Sequence, residues 1–483
     1  MRPSEKRYFK QYLKRHSNNS QETIYARFFD YIVQHKYYSK DHIFKKCSYI
    51  QPDQFQNIQS RLYNSILESL RAFNSTSSFR IQLSEHQVNA EILEKKGMFD
   101  EALQFLKKAE KLAEDNEKIY DLDTILTHQE LLLTTRSKSP KHREQISKVQ
   151  KRKAELEIQR LRQKELFAIR TEVYNYFRVI GRLARDPSSV VHIEQKYKEF
   201  DARFSIDQNS CIERQYYYCE RSVLYRFKGE LKKSLDDLEI IRSMYDENPK
   251  LKKVYETEYL KFLSDYIIVC NLNKKFKNSL EAIQLIRSYN DPSNKQKQLF
   301  IFETCFFFEL EVYLYQQQYA KAVAFFQLNE NVLHIFENNL HSVNQQSKLY
   351  RIALSYFGDG QYKTALRWLN KILNSDILQY RKDIIVSVRL LNILIHFELS
   401  NFSLLKNRLT TTATFIKKAN RWLPSEKAFI SAFNSIVLNQ KNEIDAFTTL
   451  LKRLEEAENG NYLEHYFFNY FDFKHWVQVK IQQ

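Results

Sequence analysis

The side chains best placed to do chemistry in this 483-residue chain are basic. Lys148, Lys151, Arg152, Lys153, Arg160, Arg162 and Lys164 fall close together and can hold phosphate or carboxylate oxygens by charge and hydrogen bonding, which makes them the candidate contact patch. The alternative is an exposed, solvated stalk. Catalytic groupings are missing by contrast. There is no phosphate-binding G-x-x-x-x-G-K-[ST] loop, no G-x-G-x-x-G turn, no H-E-x-x-H helix and no G-x-S-x-G elbow. None of the twelve histidines has a second at i+3 or i+4. Cys47, Cys211, Cys219, Cys270 and Cys305 show no C-x-x-C spacing. No catalytic, cofactor or metal residue is therefore assigned, no cofactor is expected, and the chain reads as a non-enzyme.

Aromatic residues supply a second kind of contact chemistry. The chain has 31 Tyr, 35 Phe and 3 Trp. Successive helical side chains step by about 100°, so Tyr216-Tyr217-Tyr218, Phe306-Phe307-Phe308 and Tyr466-Phe467-Phe468 cannot all point into a core. Those that point outward offer rigid apolar area, with a polar tip on tyrosine.

The elements that must position these groups are helices. Six glycines and seven prolines are too few for the turns of a sandwich, barrel or doubly wound sheet. Apolar residues at 43% and charged residues at 28% are enough for a continuous core and argue against disorder. The net charge of +17 is concentrated: residues 1–46 and residues 137–170 each hold eleven Lys or Arg against four Asp or Glu. Neither a secretory signal nor a membrane span is read in the sequence, and an odd set of thiols suits a reducing compartment, so a cytoplasmic location is expected.

One segment carries a repeat register: Gly97, Phe99, Ala102, Leu106 and Ala109. It returns as Gly229, Leu231, Ser234, Leu238 and Ile241; as Phe276, Ser279, Ile283 and Ile286; as Tyr319, Ala322 and Phe326; and as Gly360, Tyr362, Ala365, Leu369 and Ile372. Fainter copies begin at Phe402 and Ile444. From residue 231 onward the aromatic position recurs every 40 to 45 residues. A glycine permits the tight reversal between two helices, and a small residue lets their backbones approach. Ala90, Ser222 and Ala353 stand where the preceding helix needs its own small residue, while Ile267 and Leu310 are larger.

This register resembles the tetratricopeptide repeat (TPR), although the usual unit is 34 residues. The opening Glu5-Lys6-Arg7-Tyr8-Phe9-Lys10, with Phe28-Phe29-Asp30 behind it, is similar to the start of uncharacterised bacterial TPR-like proteins and implies no activity. The resemblance implies an all-α, TPR-like α-solenoid, a right-handed superhelix of antiparallel helix pairs with a helical N-terminal cap. Residues 1–80 read as the basic cap of four helices, 81–136 as a first TPR-like unit, 137–200 as a long basic helix and connection, and 201–483 as the repeat array with a capping helix. The basic half of the long helix has few large apolar residues and is expected to be the part least committed to packing. The expected function is a scaffold or adaptor that binds a protein or peptide on an open concave face. The alternative is a regulator whose basic N-terminal helices, through a helix-turn-helix near Ser39 to Phe73, bind nucleic acid.

Overall fold

The computed structural model describes residues 1–16, 19–35, 39–76, 78–135, 140–180, 190–206, 210–292, 294–336, 342–374, 382–418, 422–438, 442–460, 464 and 471–483. The fold class is an all-α, TPR-like α-solenoid, and its described residues form helices without a strand. Contacts divide the chain into two compact units, Met1–Leu161 and Arg162–Gln483.

In the first unit, α1 (Pro3–His16), α2 (Asn19–Gln34), α3 (Lys40–Lys46) and α4 (Phe55–Asn74) enclose a core of their own, with Phe9, Phe28, Ile43, Ile58 and Leu62 at its centre. Ser39 caps α3, its side chain accepting from the His42 N–H. A second core joins α5 (Phe79–Lys95), α6 (Phe99–Asp115) and α7 (Ile119–Thr135) to the first half of α8 (Pro140–Ile180). Helix α8 has 41 residues, about 60 Å at 1.5 Å per residue.

The second unit is built from hairpins. These are α10 (Cys211–Phe227) with α11 (Leu231–Glu247), α13 (Glu256–Leu272) with α14 (Phe276–Ser288), α15 (Lys295–Tyr315) with α16 (Tyr319–Phe336), α17 (Ser342–Gly358) with α18 (Tyr362–Leu373), α19 (Lys382–Glu398) with α20 (Phe402–Lys418), and α21 (Pro424–Val437) with α22 (Glu443–Gly460). Helix α9 (Val191–Arg203) precedes them and α12 (Pro249–Val254) links two of them. Each first helix from α10 to α19 also touches the first helix of the next hairpin, the side-by-side stacking of a helical repeat array.

The repeat register fixes these boundaries. Phe99, Leu231, Phe276, Tyr319, Tyr362 and Phe402 are each the first residue of a second helix. The residue three later, whether Ala102, Ser234, Ser279, Ala322, Ala365 or Leu405, is fully buried. Facing small residues allow the close crossing: Ser222 Oγ donates to the Ser234 carbonyl and Ser234 Oγ to the Ser222 carbonyl, both at 2.9 Å. Only α22 departs, opening one residue before Ile444.

Two residues before each of those first positions the backbone turns left-handed. The φ angle is 77° at Gly97, 78° at Gly229, 58° at Lys274, 56° at Gln317, 76° at Gly360 and 57° at Ser400. At every one the following N–H reaches back to the fifth residue before it, as Gln318 does to the Tyr313 carbonyl at 2.9 Å, closing a Schellman turn. Three of the six turns therefore use a side chain where glycine is unstrained. Lys274→Gly and Ser400→Gly are each expected to stabilise the fold by about 1 kcal/mol. The urea midpoint checks this, and an unchanged or lower midpoint refutes it.

Candidate functional site

Counting back from the turn residue locates one face of the first helices. Thirteen residues before it stand Tyr216, Lys261, Thr304, Ser347 and Ser387; nine before it stand Glu220, Asp265, Phe308, Arg351 and Leu391. On α13 this face is open, with Lys261 exposed and Ser264, Asp265 and Ile268 half-buried beside it. Tyr216 and Glu220 on α10, and Thr304 and Phe308 on α15, are half-buried in equivalent places.

The opening does not continue along the array. From Gln346 to Phe357 on α17 every side chain but Leu349 is buried, and from Ile384 to Phe397 on α19 every one but Arg389. A helix apolar on all sides is one that packs on all sides, and α19 reads almost without a polar stripe. The expected open concave surface is thus corrected for α17 and α19, whose inward charges lie inside the protein. Arg351 pairs there with Glu311 of α15 at 2.5 Å, with side chains 5% and 0% exposed. Lys348 pairs with Glu303 in the same way.

Charge on the open part is equally constrained. Glu220 lies 3.3 Å from Arg170 of α8. Burial pushes its carboxyl up to about 8, helped by Asp265 and opposed by Arg170 and Arg226. A carboxyl that holds its proton more tightly when folded loses stability for the fold as pH rises from about 4.5 to about 8, because the unfolded chain ionises first. Glu220→Gln is expected to flatten the fall in melting temperature over that range and to raise it at pH 8. A parallel pH curve for the variant contradicts the assignment. On α13, Asn271 is fully buried and neither end of its amide finds a partner among the described residues.

The basic residues singled out in the sequence are distributed differently. Lys148 pairs with Glu144 (2.6 Å), Arg152 with Glu155 (3.1 Å) and Glu114 (3.2 Å), Lys153 with Glu130 (2.7 Å), and Arg160 with Asp123 (2.9 Å). Arg162 reaches the buried Glu213 of α10 at 3.3 Å. Lys151 and Lys164 are exposed. Contrary to expectation, the basic half of α8 is packed: Val149 and Leu156 are buried in the core with α6 and α7. Its long cationic side chains lie along neighbouring helices and meet their acids.

Each aromatic triplet that is described sends one member to the open face. Tyr217, Tyr218, Phe306 and Phe307 are buried, leaving Tyr216 and Phe308. The guanidinium of Arg170 stacks over the Tyr216 ring at 4.5 Å. Tyr466-Phe467-Phe468 lies outside the described residues. Among the described residues no group of three His, Cys, Asp or Glu could hold a metal ion, and all five cysteines are buried thiols.

No family model matches the chain, and no curated protein matches it in sequence. Among solved structures it is similar to the crystal structure of NprR in complex with its cognate peptide NprX, at 13% identity and a TM-score of 0.43. The match covers 74% of this chain and 97% of that one.

Proposed function

We propose that this chain is a non-enzymatic scaffold that binds a protein or peptide segment along the open first-helix face of α10, α13 and α15. The observation that carries the reading is the stripe Lys261, Asp265 and Ile268, continued by Tyr216 and Glu220 on one side and Thr304 and Phe308 on the other. Aromatic and aliphatic anchors alternate there with both signs of charge on rigid elements, which suits side chains projecting from an extended segment. No helix among the described residues is long and apolar enough to cross a membrane.

Panning a random peptide display library against the full chain, with the double variant Lys261→Glu and Ile268→Glu as the counter-target, tests the proposal. Enriched peptides that lose at least tenfold in affinity for the variant support it. Peptides that bind both proteins alike, or no enrichment, overturn it.

The nucleic-acid reading is favoured by one observation on α4. Its first three turns expose Gln56, Asn57, Gln59, Ser60, Arg61 and Asn64 without an acidic side chain, a set of groups able to meet base edges and phosphates. A regulator of this kind binds duplex DNA with affinity that falls steeply as salt rises, and Arg61→Gln lowers the slope. Absence of binding at 50 mM salt rules it out.

A further inference from the structure

The last hairpin of the second unit contains a groove that the scaffold reading leaves unused. Helices α21 and α22 line a solvent-open cleft of about 610 Å³, within the range of roughly 300–1,000 Å³ typical of small-ligand sites. Lys427 stands on the α21 wall and Arg453 on the α22 wall, with Trp422 alongside and Leu450 on the apolar lining. Among the described residues no Asp or Glu lines the cleft. Neither cation has an ion-pair partner among the described residues, whereas α8 places most of its cations against acids. Asn434 and Thr449 add polar groups to the lining.

We propose that this groove binds a small organic anion, a carboxylate or phosphate carried on an apolar body. The negative group sits between Lys427 and Arg453, and the body lies against Leu450 and the Trp422 indole. Two cations make the potential of the cleft positive, so an anion entering it exchanges water for two charge-assisted partners. A neutral molecule of the same shape gains only the apolar contact. The site is separate from the α10–α13–α15 face and stands whether or not a peptide binds there.

The full-length protein carries its own reporter, since Trp422 is one of three tryptophans. Titration with phenyl phosphate and with phenylacetate, following indole fluorescence and heat together, is expected to saturate with a Kd of about 1 mM or tighter for at least one of them. Phenylacetamide, the neutral counterpart, is expected to bind at least tenfold more weakly. The comparison of the two anions assigns the ligand as phosphate or carboxylate. Lys427→Gln and Arg453→Gln are surface changes that leave the helical circular dichroism intact, and each is expected to weaken binding tenfold or more. Trp422→Phe should abolish the fluorescence change while the heat remains. Failure of both anions to saturate, equal binding of phenylacetamide, or unchanged affinity in both glutamine variants overturns the proposal.

Discussion

Arg351→Met is expected to destabilise the protein by about 3–5 kcal/mol, the usual consequence of stranding one partner of a buried ion pair. Glu311 is 0% exposed and would be left as a carboxylate inside α15, able to recover only by taking up a proton. The double variant Glu311→Leu with Arg351→Met should regain most of the loss, because two apolar side chains of similar volume need no compensating charge. Urea denaturation of the wild type, both single variants and the double variant checks this. If the double variant is as unstable as Arg351→Met, packing rather than charge explains the loss.

The second large effect is expected at Gly358. A Cβ added there would stand 2.2 to 2.6 Å from three atoms of the Tyr319 ring, so Gly358→Ala should cost about 3 kcal/mol through overpacking. Gly360, two residues on, is a different case. A Cβ there meets nothing within 4 Å, but its φ of +76° penalises any side chain, and Gly360→Ala should cost about 1 kcal/mol. Reducing the ring separates the two: Tyr319→Leu should restore part of the stability lost by Gly358→Ala and do nothing for Gly360→Ala. Equal rescue of both variants refutes the distinction.

The turn residues explain why the array was legible in the sequence. The spacing from Phe276, Tyr319 and Phe402 marks the left-handed positions even where Lys274, Gln317 and Ser400 replace glycine, so helix starts could be placed to the residue. The N-terminal helices and the 41-residue α8 were readable for a similar reason, since their caps, prolines and apolar spacing are local. What sequence left open depends on residues far apart. The acids that meet Arg152, Lys153 and Arg160 lie on α6 and α7, so a charge run looked like a free surface. Burial of α17 and α19 follows from what surrounds them. Gly358 stands two residues before a turn glycine, and only the position of Tyr319 shows that it keeps room for a ring. The open face itself carries a signal that could have been used: positions nine and thirteen before each turn.

The end of the chain departs from stacking between neighbours. Helix α23 (Phe473–Gln482) packs on α22, but the residues around its start and along it reach back over earlier hairpins. Phe471 meets the rings of Tyr319 and Phe357, Asp472 accepts from Gln317 at 3.1 Å, and Glu398 of α19 accepts from the Trp476 indole and the Lys480 ammonium, each at 2.9 Å. A linear array frays from its ends inward, each unit held only by the one beside it. Here the final segment acts as a staple from the α15–α16 turn to α19. Force applied to α23 meets that staple first, and once it is pulled free the hairpins it spans lose a shared brace together instead of peeling off singly.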